Sequence, residues 1–213
     1  EATALGGWFL KDHESTEVVV RDCHVHHVGT SGIRAGAGSG RIEDNRVHDV
    51  GLLCNNGVGL SIAGGSGYRI RRNIVHGTPY SGIIVGGRGN LVEENLVYHA
   101  MQVLHDGAAF YCGCSRDLVL RRNVVRDVAA VGKGYGASAY YLDEKSENCL
   151  VEGNVSINVG RPTHNHMTVN CTLRNNVFVH DREMVLSFAK SRGFTVEGNV
   201  FCSGGNVTVS DPA

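Results

Sequence analysis

Short stretches of alternating apolar and polar residues recur along this chain, and each one leads into an asparagine. In residues 118–123 the order Leu-Val-Leu-Arg-Arg-Asn puts apolar side chains on one side of an extended segment, which is typical of a half-buried β-strand. A unit made of one apolar residue, two mostly polar residues and Asn recurs with its asparagine at positions 45, 73, 95, 123, 154, 176 and 199. One earlier unit has Cys23 in the asparagine position.

The spacing of these units predicts a solenoid. From Cys23 onward the intervals are 22, 28, 22, 28, 31, 22 and 23 residues, a period near 22 with insertions. A second apolar segment, such as residues 82–85, precedes each asparagine by about a dozen residues. Two or three short strands per coil predict an all-β fold, a right-handed parallel β-helix of about eight rungs. The Leu-x-x-Leu-x-Leu frame of a leucine-rich horseshoe is absent.

The repeated asparagine suggests two structural roles. Asparagine tolerates the left-handed backbone conformation of a corner, and stacked asparagines can form a ladder of side-chain amides. We expect one β-helix domain over residues 1–213, either a fragment or a helix without terminal caps, because neither end shows a polar capping repeat.

Composition excludes several classes of function. A net charge of −1 gives no field that attracts nucleic acid or an anionic membrane, and no apolar run approaches the ~18 residues of a membrane span. We expect neither partner, and the sequence leaves the oligomeric state undetermined. Seven cysteines without paired spacing predict small buried side chains rather than metal ligands. No Gly-x-Gly-x-x-Gly motif follows a strand, so no cofactor is expected.

The long insertions mark the side of the solenoid where a substrate would bind. The segments between asparagines 95 and 123, and between 123 and 154, hold two chemically informative stretches. Residues 105–111 read His-Asp-Gly-Ala-Ala-Phe-Tyr, and residues 139–146 read Ala-Tyr-Tyr-Leu-Asp-Glu-Lys-Ser.

These two stretches resemble the Asp-Gly-Gly-Ala-Ile-Tyr and Gly-Ile-Tyr-Leu-Asp-Glu-Gly-Ser elements of β-helical glycoside hydrolases of family 141 and, more distantly, family 120. The chain departs from them at Ala108 and Lys145, where those elements have glycine. The resemblance implies a plant or microbial polysaccharide or oligosaccharide as substrate, cleaved as by xylanases, xylosidases or fucosidases. It also implies an extracellular or periplasmic location, with the two catalytic carboxylates on Asp106 and Asp143.

Hydrolysis of a glycosidic bond needs two carboxyl groups, about 5 Å apart for retention or about 6.5–9.5 Å for inversion. Coils of a β-helix stack at about 4.8 Å, so carboxylates on neighbouring coils can satisfy this requirement. Asp143, however, stands 11 residues before its asparagine and Asp106 stands 17 before its own. The difference of six residues would span about 20 Å of flat strand. Either Asp could instead cap a turn, and Glu144 is a further candidate for the acid.

The neighbouring aromatic and imidazole groups are candidate substrate-binding residues. Tyr111 and Tyr141 offer rings for sugar stacking or hydroxyls for hydrogen bonds. His166 matches a histidine that often follows in the resembled family, and it would bind substrate or tune a carboxylate. His164 and His105 are weaker candidates of the same kind. We expect no metal site, since a His-x-His pair would need an acidic third ligand.

Two alternatives to a hydrolase stay open. A polysaccharide lyase or uronate epimerase needs a base, for which His166 is a candidate, and a cation to neutralise the uronate, from Lys145, Lys133 or Arg116. The other alternative is a non-catalytic carbohydrate-binding or structural β-helix.

Arginines and glutamates before the asparagines predict a solvated face with ion pairs between coils. The histidines after the asparagines predict a surface ladder.

Overall fold

The computed structural model describes residues 5–6, 17–36, 38–131 and 134–210. Within these ranges the chain forms 25 strands, numbered β1 to β25 in chain order, in three parallel sheets. Neighbours in each sheet are three strands apart in sequence, so every coil contributes one strand to each sheet. Eight such coils follow one another, and β25 begins a further one. This architecture confirms the predicted all-β parallel β-helix of about eight rungs.

The first sheet has nine strands: β1 Leu5–Gly6, β4 Ile33–Ala35, β7 Leu60–Ile62, β10 Ile83–Arg88, β13 Gly107–Arg116, β16 Ala137–Leu142, β19 Thr163–Asn165, β22 Met184–Ser187 and β25 Val207–Ser210. The second has eight: β2 Glu17–Arg21, β5 Ser39–Glu43, β8 Arg69–Arg71, β11 Leu91–Glu93, β14 Val119–Arg121, β17 Leu150–Glu152, β20 Thr172–Arg174 and β23 Thr195–Glu197. The third has eight: β3 His24–Val28, β6 Arg46–Val50, β9 Ile74–His76, β12 Leu96–Tyr98, β15 Val124–Arg126, β18 Val155–Ile157, β21 Val177–His180 and β24 Val200–Ser203.

The core is built from side chains that stack on their equivalents in the next coil. In the first sheet Ile83 pairs with Phe110 and Phe110 with Tyr140, and all three are fully buried. The Phe110 and Tyr140 rings lie nearly parallel with centroids 5.5 Å apart. Because alternate residues of a strand face opposite sides, the same register exposes a second row of side chains on the outside.

The repeated asparagines form a buried amide ladder between the second and third sheets, as predicted. The Asn123 Oδ1 accepts hydrogen bonds from the backbone N–H and the Nδ2 of Asn95, at 3.0 and 2.9 Å. Its Nδ2 donates to Val92 O at 2.9 Å and to Asn154 Oδ1 at 3.0 Å. The predicted left-handed conformation of the asparagines is wrong. The residue before each one adopts it instead, as in Arg122 with φ 52°, which turns the amide inward.

The outer face of the second sheet has the predicted ion pairs between coils. Arg71 lies 2.9 Å from Glu43, and Arg121 lies 2.8 Å from Glu93. Both glutamates are buried beneath the arginines. Paired burial of this kind compensates the desolvation of each charge.

On the third sheet the predicted surface ladder is present, since the rings of His48 and His76 are parallel at 4.6 Å and Tyr98 continues the stack. The prediction that the cysteines are buried is wrong in part. Three cysteines are buried and three are exposed, while Cys23 is intermediate. The exposed ones are Cys54, Cys114 and Cys202.

Candidate active site

An outward row of the first sheet, in which Tyr141 and His164 are nevertheless buried, collects polar and aromatic residues singled out from the sequence. Tyr111 on β13, Tyr141 on β16 and His164 on β19 stand side by side in register on three successive coils. Ile84 precedes them and Ser187 follows them in the same row. Pairing in a parallel sheet therefore brings Tyr111, Tyr141 and His164 into one row although they are far apart in the chain.

Asp143 lies immediately after β16 at the centre of a hydrogen-bond network. Its backbone N–H donates to Cys112 O at 2.8 Å, which continues the ladder by one residue. The Tyr111 hydroxyl donates a short hydrogen bond to Asp143 Oδ2, and His166 Nδ1 lies 2.9 Å from Oδ1. The Asp143 side chain is 15% exposed and that of His166 is 29% exposed, so the pair is reachable from solvent. Gly113 beside Asp143 has no side chain to cover it.

Burial and charge keep the surrounding groups uncharged. Burial, followed by the hydrogen bond to Asp143, raises the pKa of Tyr111 well above its usual range. Burial and then the Asp143 charge raise the pKa of Tyr141 in the same way. Burial, reinforced by the charge of Arg161, lowers the pKa of His164 to about 4. Both phenols and the His164 imidazole are therefore neutral at neutral pH, and Tyr111 remains a hydrogen-bond donor to Asp143.

Asp106 lies at the opposite end of the same strand pair. It occupies a left-handed turn before β13 with φ 60°, and its backbone N–H donates to Gly136 O at 2.8 Å. Asp143 lies seven residues after Gly136, a distance of about 20 Å along an extended strand. The two carboxylates therefore do not form a contacting pair. Both nevertheless add to the raised pKa of Tyr141 and of Tyr80, after burial as the main cause, so they act on the same groups.

Two residues of the site, Tyr80 and Arg161, were missed by the sequence reasoning. The Tyr80 hydroxyl donates to Asp106 O at 2.8 Å. Arg161 precedes β19, and its Nε donates to Ser138 Oγ at 2.7 Å. Each lies just before a strand of the first sheet, as Asp106 does. Counting positions from the start of those strands, instead of from the asparagines, would have placed Tyr80 and Arg161 next to Asp106.

The other candidates lie at the margins. Glu144 and Lys145 are in the exposed turn after Asp143, where Glu144 O accepts a hydrogen bond from the Cys114 N–H at 2.9 Å. His105 is exposed, and a Cβ added to Gly134 would meet its ring at 2.8 Å. Arg116 ends β13 and lies 3.8 Å from Glu147, away from the Asp143 network. Lys133, a candidate cation, lies outside the described residues.

Two clefts flank Asp106 along the helix axis. One of about 490 Å³ is lined by Arg34, Ser61, Tyr80 and Ile84 among others. The second, of about 650 Å³, is lined by residues of the later coils, including Arg161. Each cleft contains a residue that contacts Asp106: the Tyr80 hydroxyl donates to Asp106 O, and Gly136 O accepts a hydrogen bond from the Asp106 N–H.

Neither a metal site nor a membrane helix is evident in the residues that the structure describes. No group of three or more His, Cys, Asp or Glu side chains there could hold a metal ion. Over the same ranges, no helix has the length and apolar character needed to cross a membrane.

Comparison with known proteins places the fold. The sequence profile described as "Right handed beta helix region" matches residues 9–178. A solved structure named glycoside hydrolase is 17% identical with a TM-score of 0.57, over 89% of this chain and 32% of that one. The chain thus spans about a third of that protein. A crystal structure from Parabacteroides merdae ATCC 43184, provisionally named a glycosyl hydrolase, is 9% identical with a TM-score of 0.53, over 78% of this chain and 83% of that one. No curated protein sequence matches significantly.

Proposed function

This chain belongs to the right-handed β-helix family, and from that premise we propose that it is a glycoside hydrolase of a plant or microbial polysaccharide. The observation that carries the proposal is the solvent-reachable network of Tyr111, Asp143 and His166 on the outer face of the first sheet. The names of the two similar structures support the same class of substrate. A polymeric substrate of this kind would be met outside the cell, in an extracellular or periplasmic location.

In this proposal Asp143 is the carboxylate that acts at the sugar carbon, as base or nucleophile. Its two oxygens are oriented by two different partners, Tyr111 and His166, which fixes the carboxylate plane before substrate binds. A fixed negative charge stabilises the oxocarbenium-like transition state of glycosidic cleavage. Tyr141, between the network and Asp106, offers a largely buried phenol edge to the sugar.

Asp106 is the proposed second carboxylate, reaching the leaving-group oxygen from the other end of the strand pair. Its offset of about 20 Å from Asp143 along the strand exceeds the separations of both retention and inversion, so this role requires the Asp106 and Asp143 side chains to approach each other across Tyr141 in the substrate complex. Should Asp106 prove dispensable, the acid would have to be the exposed Glu144.

Asp143→Asn tests the hydrolase proposal on a panel of xylans, fucosylated glycans and pectins, with release of reducing ends as the measurement. We expect a loss of kcat of about 10²–10⁴, because the side chain keeps its shape but loses the charge. Asp106→Asn should lose a comparable factor. Asp117→Asn is the matched control, an exposed aspartate paired with Arg88 at 2.9 Å on another face, and it should retain full activity. Wild-type cleavage that survives Asp143→Asn would overturn the proposal.

A polysaccharide lyase is the second candidate, and Arg161 favours it. Its guanidinium lies close enough to Tyr141 and His164 to shift the pKa of each. It could therefore neutralise the carboxylate of a uronate while His166 or Tyr111 acts as the base that removes the sugar proton. The cations expected from the sequence, Lys145 and Arg116, lie away from this point. A lyase would form an unsaturated uronate that absorbs ultraviolet light, whereas a hydrolase would not. Binding without any cleavage would instead indicate the non-catalytic alternative.

A further inference from the structure

Arg161 has no bonded carboxylate, unlike most arginines of the second sheet. Its Nε donates to Ser138 Oγ at 2.7 Å, and its Nη2 donates to the Tyr135 carbonyl oxygen. Within the described ranges Arg161 forms no ion pair, in contrast to Arg121 and Arg174, which contact glutamates at 2.8 and 2.7 Å. A guanidinium carries five N–H groups, so three of those on Arg161 remain available to a ligand.

The cleft of about 650 Å³ beside Arg161 has an apolar floor and a positive rim. Val128, Ala130 and Val185 are among the residues of the floor. Arg161 and Arg182 supply two positive charges, while Asp181 is the single carboxylate among the lining residues and lies 3.5 Å from His180. The cleft therefore combines an apolar surface for a sugar ring with an excess of positive charge.

Partial burial makes the Arg161 guanidinium a stronger binding group for an anionic ligand. Arg161 is partly buried, and burial is the main cause that lowers the pKa of its guanidinium. The charge of Asp106 acts on the guanidinium without forming an ion pair with it, so an anionic ligand that forms two hydrogen bonds with Arg161 compensates its partial desolvation more fully. His164 is neutral above a pH of about 4, so at neutral pH Arg161 rather than His164 provides the positive charge at this point.

We propose that this cleft is a subsite for an acidic saccharide unit, whose carboxylate or sulfate group binds the guanidinium of Arg161. This inference rests on the proposed function, because the neighbouring sugar unit would then lie across Tyr141 toward Asp143. It assigns the substrate class: a uronate-containing or sulfated polysaccharide rather than a neutral one. Arg182 at the rim draws the anion in, and the apolar floor takes the face of the ring.

The test is a binding measurement by calorimetry with Asp143→Asn protein, so that no turnover is needed. The probes are trigalacturonate, a sulfated galactan trisaccharide and neutral galactotriose. We expect the best acidic probe to bind at least about tenfold more tightly than the neutral one, and Arg161→Gln to remove that preference. Arg182→Gln should weaken acidic binding about twofold to threefold, and Arg174→Gln on the second sheet should leave it unchanged. The carboxylate and sulfate probes decide which anion is preferred.

Several results would overturn the subsite: equal affinity for acidic and neutral probes, or an acidic preference that persists in folded Arg161→Gln. If that variant does not fold, Arg182→Gln and the salt dependence of the Asp143→Asn protein decide instead. If the affinity for the acidic probes changes neither with Arg182→Gln nor with salt concentration, the proposal is contradicted. The two proposals fail separately. Cleavage of neutral glycans without acidic preference refutes only the subsite, and acidic binding without any hydrolysis refutes only the hydrolase.

Discussion

Replacing Asn123 with alanine tests how much the amide ladder stabilises the β-helix. The change removes four buried hydrogen bonds: two accepted from Asn95 and two donated to Val92 and Asn154. At about 0.5–1.5 kcal/mol net for each bond, the loss is about 2–6 kcal/mol. We expect about 4 kcal/mol, because the buried Asn95 N–H is left without a partner while its Nδ2 keeps bonds to Ile70 O and Glu93 O. A domain is commonly stable by only about 5–15 kcal/mol.

Asn199→Ala is the matched control, since Asn199 occupies the last position of the ladder and is partly exposed. It accepts two hydrogen bonds from Asn176, at 3.0 and 2.8 Å, and donates one to Leu173 O at 2.9 Å. Water can replace these bonds, so we expect a loss of about 1 kcal/mol. The assay is equilibrium unfolding in urea followed by far-ultraviolet circular dichroism, with midpoints compared at a common slope.

The reasoning is refuted if Asn123→Ala lowers the free energy of unfolding by less than about 1 kcal/mol, or by no more than Asn199→Ala. Either result would show that stacking of the apolar rows, rather than the ladder, holds successive coils in register. A changed urea slope would mean that coils unfold separately, and the two variants would then be compared transition by transition.

Two further predictions concern pH and thiol reactivity. An unfolded histidine titrates near 6.5, whereas burial holds the pKa of folded His164 at about 4, so the unfolded chain binds the proton first as pH falls. The stability that neutral His164 contributes is complete above pH ~6.5 and is lost, by up to about 3 kcal/mol, as pH falls toward ~4. Urea midpoints at pH 7.5 and 4.5 should therefore differ more for wild type than for His164→Gln, and equal differences would contradict this. A thiol reagent should label the exposed Cys54, Cys114 and Cys202 in the native protein, while Cys112 reacts only after unfolding because burial raises its pKa. Native labelling of Cys112 would be inconsistent with the packed interior.

The sequence by itself determined the solenoid, the number of coils and the ladder. These follow from local rules repeated many times. Alternation sets which side chains of a strand face inward, and the interval between asparagines sets the length of a coil. The buried position of Asn123 and the pairing of Arg121 with Glu93 were predictable for the same reason, since each coil places equivalent residues next to one another.

Only the tertiary structure decided which chemical groups meet. Counting from the asparagines could not fix the lateral register in the first sheet, because β13 is ten residues long and its pairing with β10 shifts between Val85 and Gly87. That register puts Asp106 beside Gly136, and it gives Asp143 the hydroxyl of Tyr111 as a partner. The ladder's backbone geometry was likewise set by its surroundings. The left-handed corner falls on the residue before each asparagine, because the amide must point inward to reach the next coil. Arg161 joins the site through the stacking of coils, a long-range contact that counting from the asparagines does not reveal.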